Sequence, residues 1–497
     1  MALIPRIRAH STPLRVLGLI TLAACALLCP GCNEIFRPVV IPGPITPPNP
    51  QNSHFVFAIN GNGPTNPGTG MQIDVSGDTD IGVAPVGFSP AHAATLPDNS
   101  RVFVASTLSD SVASFVPGGI AGIAPPLTIS LPLGSRPVFV HTAETTNMYV
   151  ANAAANTVSV IDTGSNVVTQ TVPVGVTPVA LAETPDARKL YVVNQGDNSV
   201  TRINVADFTQ APVTGFTGLT PMWAVARGDS QRVYVLSQGD GRLFTIDATI
   251  SPTADSVIGT NSVGAGANFL LYDSNLDRLY VTNPTTSKVY VFDASTDPPT
   301  PLGSPAGITI SAPSLPKTPR CAGVPNPCVL TSPAPVSVAA LPDGSRFYVA
   351  SYVAAAPGAP CPDPNVTASQ CIIAQVTVFN TTNNTVKNTV FPLFPALPTL
   401  PASGVQPFAA TPVASCQPTT PYTPSSTRFR LFAAASAESS RIYVGMCDAG
   451  AVASIDTGNV SIPDKLDTDV PAPFSSLPPT SGNEPPPQNP VFLLTGQ

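Results

Sequence analysis

Apolar residues fall in short runs along the chain, and one run recurs with the same opening: an aromatic residue, small or β-branched residues, then usually Asn or Ser. The copies are Phe57-Ala58-Ile59-Asn60, Phe103-Val104-Ala105-Ser106, Tyr149-Val150-Ala151-Asn152, Tyr191-Val192-Val193-Asn194, Tyr234-Val235-Leu236-Ser237, Tyr280-Val281-Thr282-Asn283, Tyr348-Val349-Ala350-Ser351 and Tyr443-Val444-Gly445-Met446. Their aromatic anchors lie 46, 46, 42, 43, 46, 68 and 95 residues apart. A period of roughly 40 to 50 residues is that of a propeller blade, so the last two intervals carry insertions.

Around each copy the pattern predicts three more strands: one upstream (Pro178 to Thr184), an alternating one downstream (Thr157 to Asp162, Lys288 to Asp293), and a fourth ending near a glycine (Val167 to Gly175). A single four-stranded sheet cannot bury both faces, so the sheets must stack radially and close on themselves. The expected fold is an all-β propeller of four-stranded blades, with eight repeats counted. The first repeat begins at its second strand. Pro490-Val491-Phe492-Leu493-Leu494-Thr495 resembles the opening strand of the third unit, Pro137-Val138-Phe139-Val140-His141-Thr142. The C-terminus is therefore expected to supply the missing strand and fasten the ring.

These repeats resemble the YVTN-type β-propeller proteins. Tyr280-Val281-Thr282-Asn283 spells the motif, and Tyr149 to Gly175 and Tyr191 to Asn204 carry its Asn-x-Val-x-x-Ile-Asp character. The likeness is strong over residues 54 to about 395 and weakens beyond. It implies an exported, surface-associated propeller and transfers no catalytic residue. Members commonly have seven blades, which leaves seven as the alternative to eight.

Composition narrows the class. There are 60 prolines, and only 10% of residues are charged. Each proline inside a helix costs roughly 3 kcal/mol, which excludes a mostly helical fold. The formal charge of -7 gives no basic footprint for nucleic acid.

At the N-terminus, Arg6, Arg8 and Arg15 precede an apolar run from Val16 to Leu28, long enough for a signal-peptide core and too short to span a bilayer. Two cysteines stand where a bacterial lipoprotein signal is cut. Cys32 follows Leu28-Cys29-Pro30-Gly31, and the alternative, Cys25, ends Leu22-Ala23-Ala24-Cys25. Ordinary secretion without lipid is the competing reading. Residues 1–31 are assigned as the signal, 32–53 as a proline-rich linker, and 54–497 as the propeller. Asn33 after the anchor implies, by resemblance to such lipoproteins, outer-membrane sorting. Attachment to the membrane is then through the lipid alone.

Two polar features recur with the blades. An acidic residue lies five before the anchor (Asp98, Glu144, Asp186, Asp229, Asp343, Glu438) and a basic one two before it (Arg101, Lys189, Arg232, Arg278, Arg346, Arg441). Both are expected to serve turns and weak surface pairs, worth ~0 to 1 kcal/mol each. Asp74, Asp162, Asn204, Asp247, Asp293, Asn380 and Asp456 close third strands, where Asx side chains bond nearby backbone.

The cysteines beyond the signal region are Cys321, Cys328, Cys361, Cys371, Cys416 and Cys447. An exported compartment favours disulfides, and proximity pairs Cys321 with Cys328, Cys361 with Cys371, and Cys416 with Cys447. Their spacings do not suit zinc, and no histidine follows His141. Four insertions depart from the repeat, at 312–333, 354–371, 396–427 and 471–489. Strands alternate direction within a blade, so the connection from strand four to the next blade and the turn from strand two to three emerge on one face. All four insertions therefore belong to one crown.

Histidines 92 and 141 lie in innermost strands of adjacent blades, two register positions apart, and are the channel candidates. A pair facing one channel could help hold a metal or polarise a carbonyl, although buried, satisfied histidines are the commoner case. There is no Gly-x-Ser-x-Gly elbow, phosphate loop or His-Glu-x-x-His. Trp223 alone cannot supply the recurrent tryptophans of quinone-dependent propeller dehydrogenases. No catalytic residue, metal site or cofactor is therefore assigned. The expected function is a non-enzymatic, monomeric binding or scaffold module engaging an envelope protein or polysaccharide through its crown. The alternative is a sugar-lactonase-like hydrolase with its site in the channel.

Overall fold

The computed structural model describes residues 55–118, 125–250, 254–311, 328–361, 371–392, 416, 431–458, 462–473 and 488–496. The signal segment, the linker, both lipidation candidates and Cys321 lie outside these residues, as do most of the four insertions.

The strands form eight antiparallel sheets of four strands each; in blade 6 the outermost strand is split into Thr300–Pro301 and Ile308–Thr309. Innermost strands run Asn489–Thr495, Pro90–Thr95, Pro137–His141, Pro178–Glu183, Pro221–Ala226, Phe269–Asp273, Ala334–Ala340 and Leu431–Ala435, for blades 1 to 8. Each touches the innermost strand of the next blade in an unbroken circuit. The protein is an eight-bladed β-propeller, which decides against the seven-bladed alternative.

Blade 1 is completed by the C-terminus. Asn489–Thr495 pairs antiparallel with Phe55–Gly61, matching Val56 with Thr495 and Ile59 with Phe492. Its outer strands are Pro67–Asp74 and Thr79–Phe88. The first and last strands of the chain thus share one sheet, which leaves no open edge in the ring.

The aromatic anchors are the core. All eight, from Phe57 to Tyr443, are fully buried. Each large side chain is worth about 1.5–3 kcal/mol through the water it excludes, so the repeat is mainly a device for filling the space between neighbouring blades.

The anchors' polar neighbours behave differently from the sequence expectation. The acidic residues do serve turns: Asp98 accepts from the Ser100 amide at 3.0 Å and Asp343 from the Ser345 amide at 2.8 Å. Asx residues at third-strand ends do the same, as at Asp162 with Ser165 (2.7 Å) and Asp293 with Ser295 (3.0 Å). The basic residues, however, are not weak surface partners. Each reaches the turn between the third and fourth strands of the following blade: Arg101 to Asn166 (3.3 Å), Lys189 to Asp255 (3.0 Å), Arg232 to Asp297 (2.7 Å), Arg278 to the Thr381 carbonyl (2.7 Å), and Arg346 to Asp464. Anchor hydroxyls join them, Tyr191 to Asp255 at 2.6 Å and Tyr348 to Asp464 at 3.1 Å. Stacking sets the outer turn of one blade over the anchor of its predecessor, a relationship invisible when one repeat is read alone.

Candidate functional site

Six innermost strands contain a proline near their start, and in each the pairing slips between that proline and the residue two further on. Proline has no amide to give the ladder, and the resulting bulge re-aims the next side chain. At this position stand Phe492, His92, Phe139, Ala180, Trp223 and Ser337; Phe269 and Phe432 begin or nearly begin the other two strands.

The rings at this level close on one another. Centroids lie 3.8 Å apart for His92 and Phe139, 5.7 Å for Phe139 and Trp223, 5.3 Å for Trp223 and Phe269, 5.7 Å for Phe269 and Phe432, 4.4 Å for Phe432 and Phe492, and 4.3 Å for Phe492 and His92. This hoop fills the axis near the crown end of the inner strands, because those strands start at that face. His92 and Trp223 are only 6.4 Å apart across it.

Between the hoop and the opposite face, the channel widens into a cavity of about 540 Å³. Alanines 94, 339, 340, 434 and 435 make the room, and His141, Thr95, Thr142, Tyr272, Asp273 and Thr495 bring polar groups to its wall. A side chamber beside it shares His141, Thr142 and Tyr272 and reaches Glu183, Phe139 and Trp223. Among the described residues no lysine or arginine lines either space.

The structure brings His92 and His141 to the same cavity, as their register requires. Burial pushes His92 down to about 3, assisted by His141, and His141 down to about 4, so both rings are neutral near pH 7. His92 lies flat against Phe139 and accepts only the Val140 amide, at 3.5 Å. His141 makes no hydrogen bond among the described residues. Neither ring has a hydroxyl, thiol or carboxylate partner that would make it a general base. Among the described residues no group of three His, Cys, Asp or Glu side chains is placed to share a metal ion.

Two carboxyls were not anticipated. Glu183 is buried; its Oε2 accepts the Ala143 amide at 2.6 Å, and the Tyr149 hydroxyl faces the carboxyl as a second, longer-range hydrogen-bonding partner. Desolvation, with smaller contributions from Glu144 and Asp186, pushes its pKa up to about 7 against the opposing Ala143 bond. Asp273 is also buried and shifted upward by desolvation; its Oδ1 accepts the Asn275 amide at 3.0 Å and its Oδ2 has no partner. The hydroxyls of Tyr149 and Tyr280 lie near these carboxyls and are pushed upward chiefly by burial. A charged residue ending an otherwise apolar inner strand, as in Pro178-Val179-Ala180-Leu181-Ala182-Glu183, was the available signal.

The described strands that flank the four insertions end on one face, here called the crown face. Cys361 is bonded to Cys371 and Cys416 to Cys447, each with Cα atoms 5.6 Å apart. Cys328 is also disulfide-bonded, while its expected partner Cys321 is outside the described residues. Over blades without insertions, the same face presents exposed apolar side chains: Phe88, Leu108, Leu133, Val176 and Leu219, with Leu133 98% exposed. Most are held from behind. Phe88 donates its amide to Ser109 Oγ (2.5 Å), Gly134 to Asp110 (2.8 Å), Val176 to Asp197 (2.9 Å) and Thr220 to Asn198 (2.7 Å).

Disulfides of this kind belong to an oxidising, extracytoplasmic compartment. No helix among the described residues is long and apolar enough to cross a membrane.

No protein-family model and no curated protein matches the chain. Solved structures resemble it at low identity. Hydrazine synthase from Kuenenia stuttgartiensis is 16% identical over 68% of this chain and 87% of that one, with a TM-score of 0.44. A Bacteroides uniformis structure provisionally described as a 6-phosphogluconolactonase is 14% identical over 67% and 95%, with a TM-score of 0.45. A functionally unknown protein from Desulfotomaculum acetoxidans is 14% identical over 68% and 95%, with a TM-score of 0.46. The blade count and closure given above rest on this chain's own strand pairing.

Proposed function

We propose that the chain is a YVTN-type, lipid-anchored propeller of the outer membrane that binds an envelope protein through its crown face, with Cys32 as the lipidated residue. The observation that carries this reading is a polarity of the ring. The strands that flank the insertions end on one face, whereas Phe55, the first described residue, lies on the other, beside Gly496. A tether at Phe55 joins the propeller on the face opposite the crown.

The crown combines disulfide-pinned loops with apolar side chains on amides fixed by neighbouring turns. Such a surface loses little conformational freedom on docking, and its apolar character suits a protein better than a polysaccharide. Photo-crosslinkers placed at Leu133 and Leu219 in cells should yield a discrete protein adduct. The same group at Arg188 and Glu438, on the opposite face, should not. Adducts from the opposite face only, or a purely polysaccharide adduct, would overturn the reading. Labelling with radioactive palmitate should be lost in Cys32→Ser and kept in Cys25→Ser.

A second reading, a hydrolase of sugar-lactonase type, is favoured by the cavity and its buried Glu183. It lacks an activated nucleophile among the described channel residues. Lactone hydrolysis abolished by Glu183→Gln would establish it.

A further inference from the structure

We propose that the cavity between the aromatic hoop and the short-turn face is a binding site for a small organic cation, with an ammonium group as the recognised feature. The inference is independent of the crown reading.

Shape comes first. The cavity is blind, because six mutually packed rings fill the axis at one end, and its volume of about 540 Å³ falls in the usual range for small-ligand sites. Phe269, Phe432, Phe492 and His92 form its floor, and Phe139 and Trp223 extend it into the side chamber. The faces of such rings are electron-rich and attract cations. Neutral histidines leave that attraction unopposed.

Charge points the same way. Among the described residues the walls carry carboxyls and neutral histidines but no lysine or arginine. Asp273 keeps its buried Oδ2 without a hydrogen-bond donor among the described residues, with Arg278 acting on it only through its charge, while Glu183 has the Tyr149 hydroxyl beside it. Glu144 and Asp186 add negative charge that acts on Glu183. A cationic group at this wall, quaternary or not, would offset the repulsion among these carboxyls through its charge. A phosphorylated or carboxylate ligand would find no lysine or arginine among the described lining residues.

The chain holds its own reporter, since Trp223 is its only tryptophan and belongs to the hoop. Choline would be titrated into the full exported chain with Trp223 emission recorded, beside its uncharged carbon isostere 3,3-dimethylbutan-1-ol and potassium chloride at equal ionic strength. The expected result is a saturable change with choline, at least tenfold weaker binding of the isostere, and no saturable change with salt. Glu183→Gln and Asp273→Asn, which keep the carbonyl oxygen that accepts backbone amides, should each weaken choline at least threefold while melting cooperatively. Should either variant fail to fold, Thr142→Asp at the wall should tighten choline binding. The absence of a saturable choline response, equal affinity for the isostere, or indifference of choline to every folded variant would overturn the proposal.

Discussion

The Tyr443 hydroxyl of blade 8 donates to Asp78 Oδ1 of blade 1 at 2.5 Å, across the junction where the ring closes. Ser454 donates to the same oxygen at 2.9 Å, and Arg441 Nε reaches Oδ2 at 3.1 Å. This is the inter-blade clasp seen elsewhere, here joining residues 363 apart in sequence. Removing one partner of a buried ionic group strands the others, typically at about 3–5 kcal/mol. Asp78→Ala should therefore shift the urea midpoint by that equivalent. Asp98→Ala, which removes an exposed turn acid, should stay within about 1 kcal/mol. Equal effects of the two would contradict the distinction between clasp and turn.

Truncation before Asn489 removes both the innermost strand of blade 1 and Phe492 from the hoop. The expected outcome is loss of a single cooperative melt. Phe432→Ala, which opens the hoop while keeping every strand, should cost about 3–5 kcal/mol and redshift Trp223 emission as water reaches it.

Two pH dependences of opposite sign follow from the channel. His92 and His141 have folded pKa values of about 3 and about 4, below the ordinary 6.5, so the unfolded chain takes up protons first. Stability is lost as pH falls from 6.5 towards 4. Glu183 is the reverse: its folded pKa of about 7 exceeds 4.5, so the native state holds the extra proton and stability is lost as pH rises from 4.5 through 7. Glu183→Gln should raise stability at pH 8 by on the order of a few kcal/mol and flatten that limb. His141→Asn should flatten the acid limb. Chemical denaturation from pH 4 to 8 reads both.

Reduction of Cys416–Cys447, which closes a sequence separation of 31, should lower stability by about 2–4 kcal/mol. Thermal melts with and without reductant, compared with Cys447→Ser, check this. A Cys447→Ser variant as stable as the oxidised parent without reductant would exclude any stabilising role, since reductant also opens Cys361–Cys371.

Blade number and ring closure were legible because they follow from a repeat and strand alternation, both local patterns. Tyr280-Val281-Thr282-Asn283 states its strand unaided. The destination of Arg441 was not legible, since Asp78 belongs to a neighbour brought near only by closure. The hoop was half written: a residue two beyond the proline is aromatic in Phe139, Trp223 and Phe492, but its meaning needs the bulge that turns it inward. Glu183 was not legible because it ends an inner strand outside the recurring acid positions, and its burial depends on the neighbouring blades.

The Gly496 amide donates to the Phe55 carbonyl at 3.1 Å, so the two described ends of the propeller meet. Such a molecule is a circle with a nick, and the position of the nick is arbitrary in principle. A short link from Gly496 to Phe55, with new termini opened between blades 3 and 4 at Gly175, would leave every sheet intact. Circular permutants of this kind would carry a fused cargo on the crown side, where the native ends cannot place one.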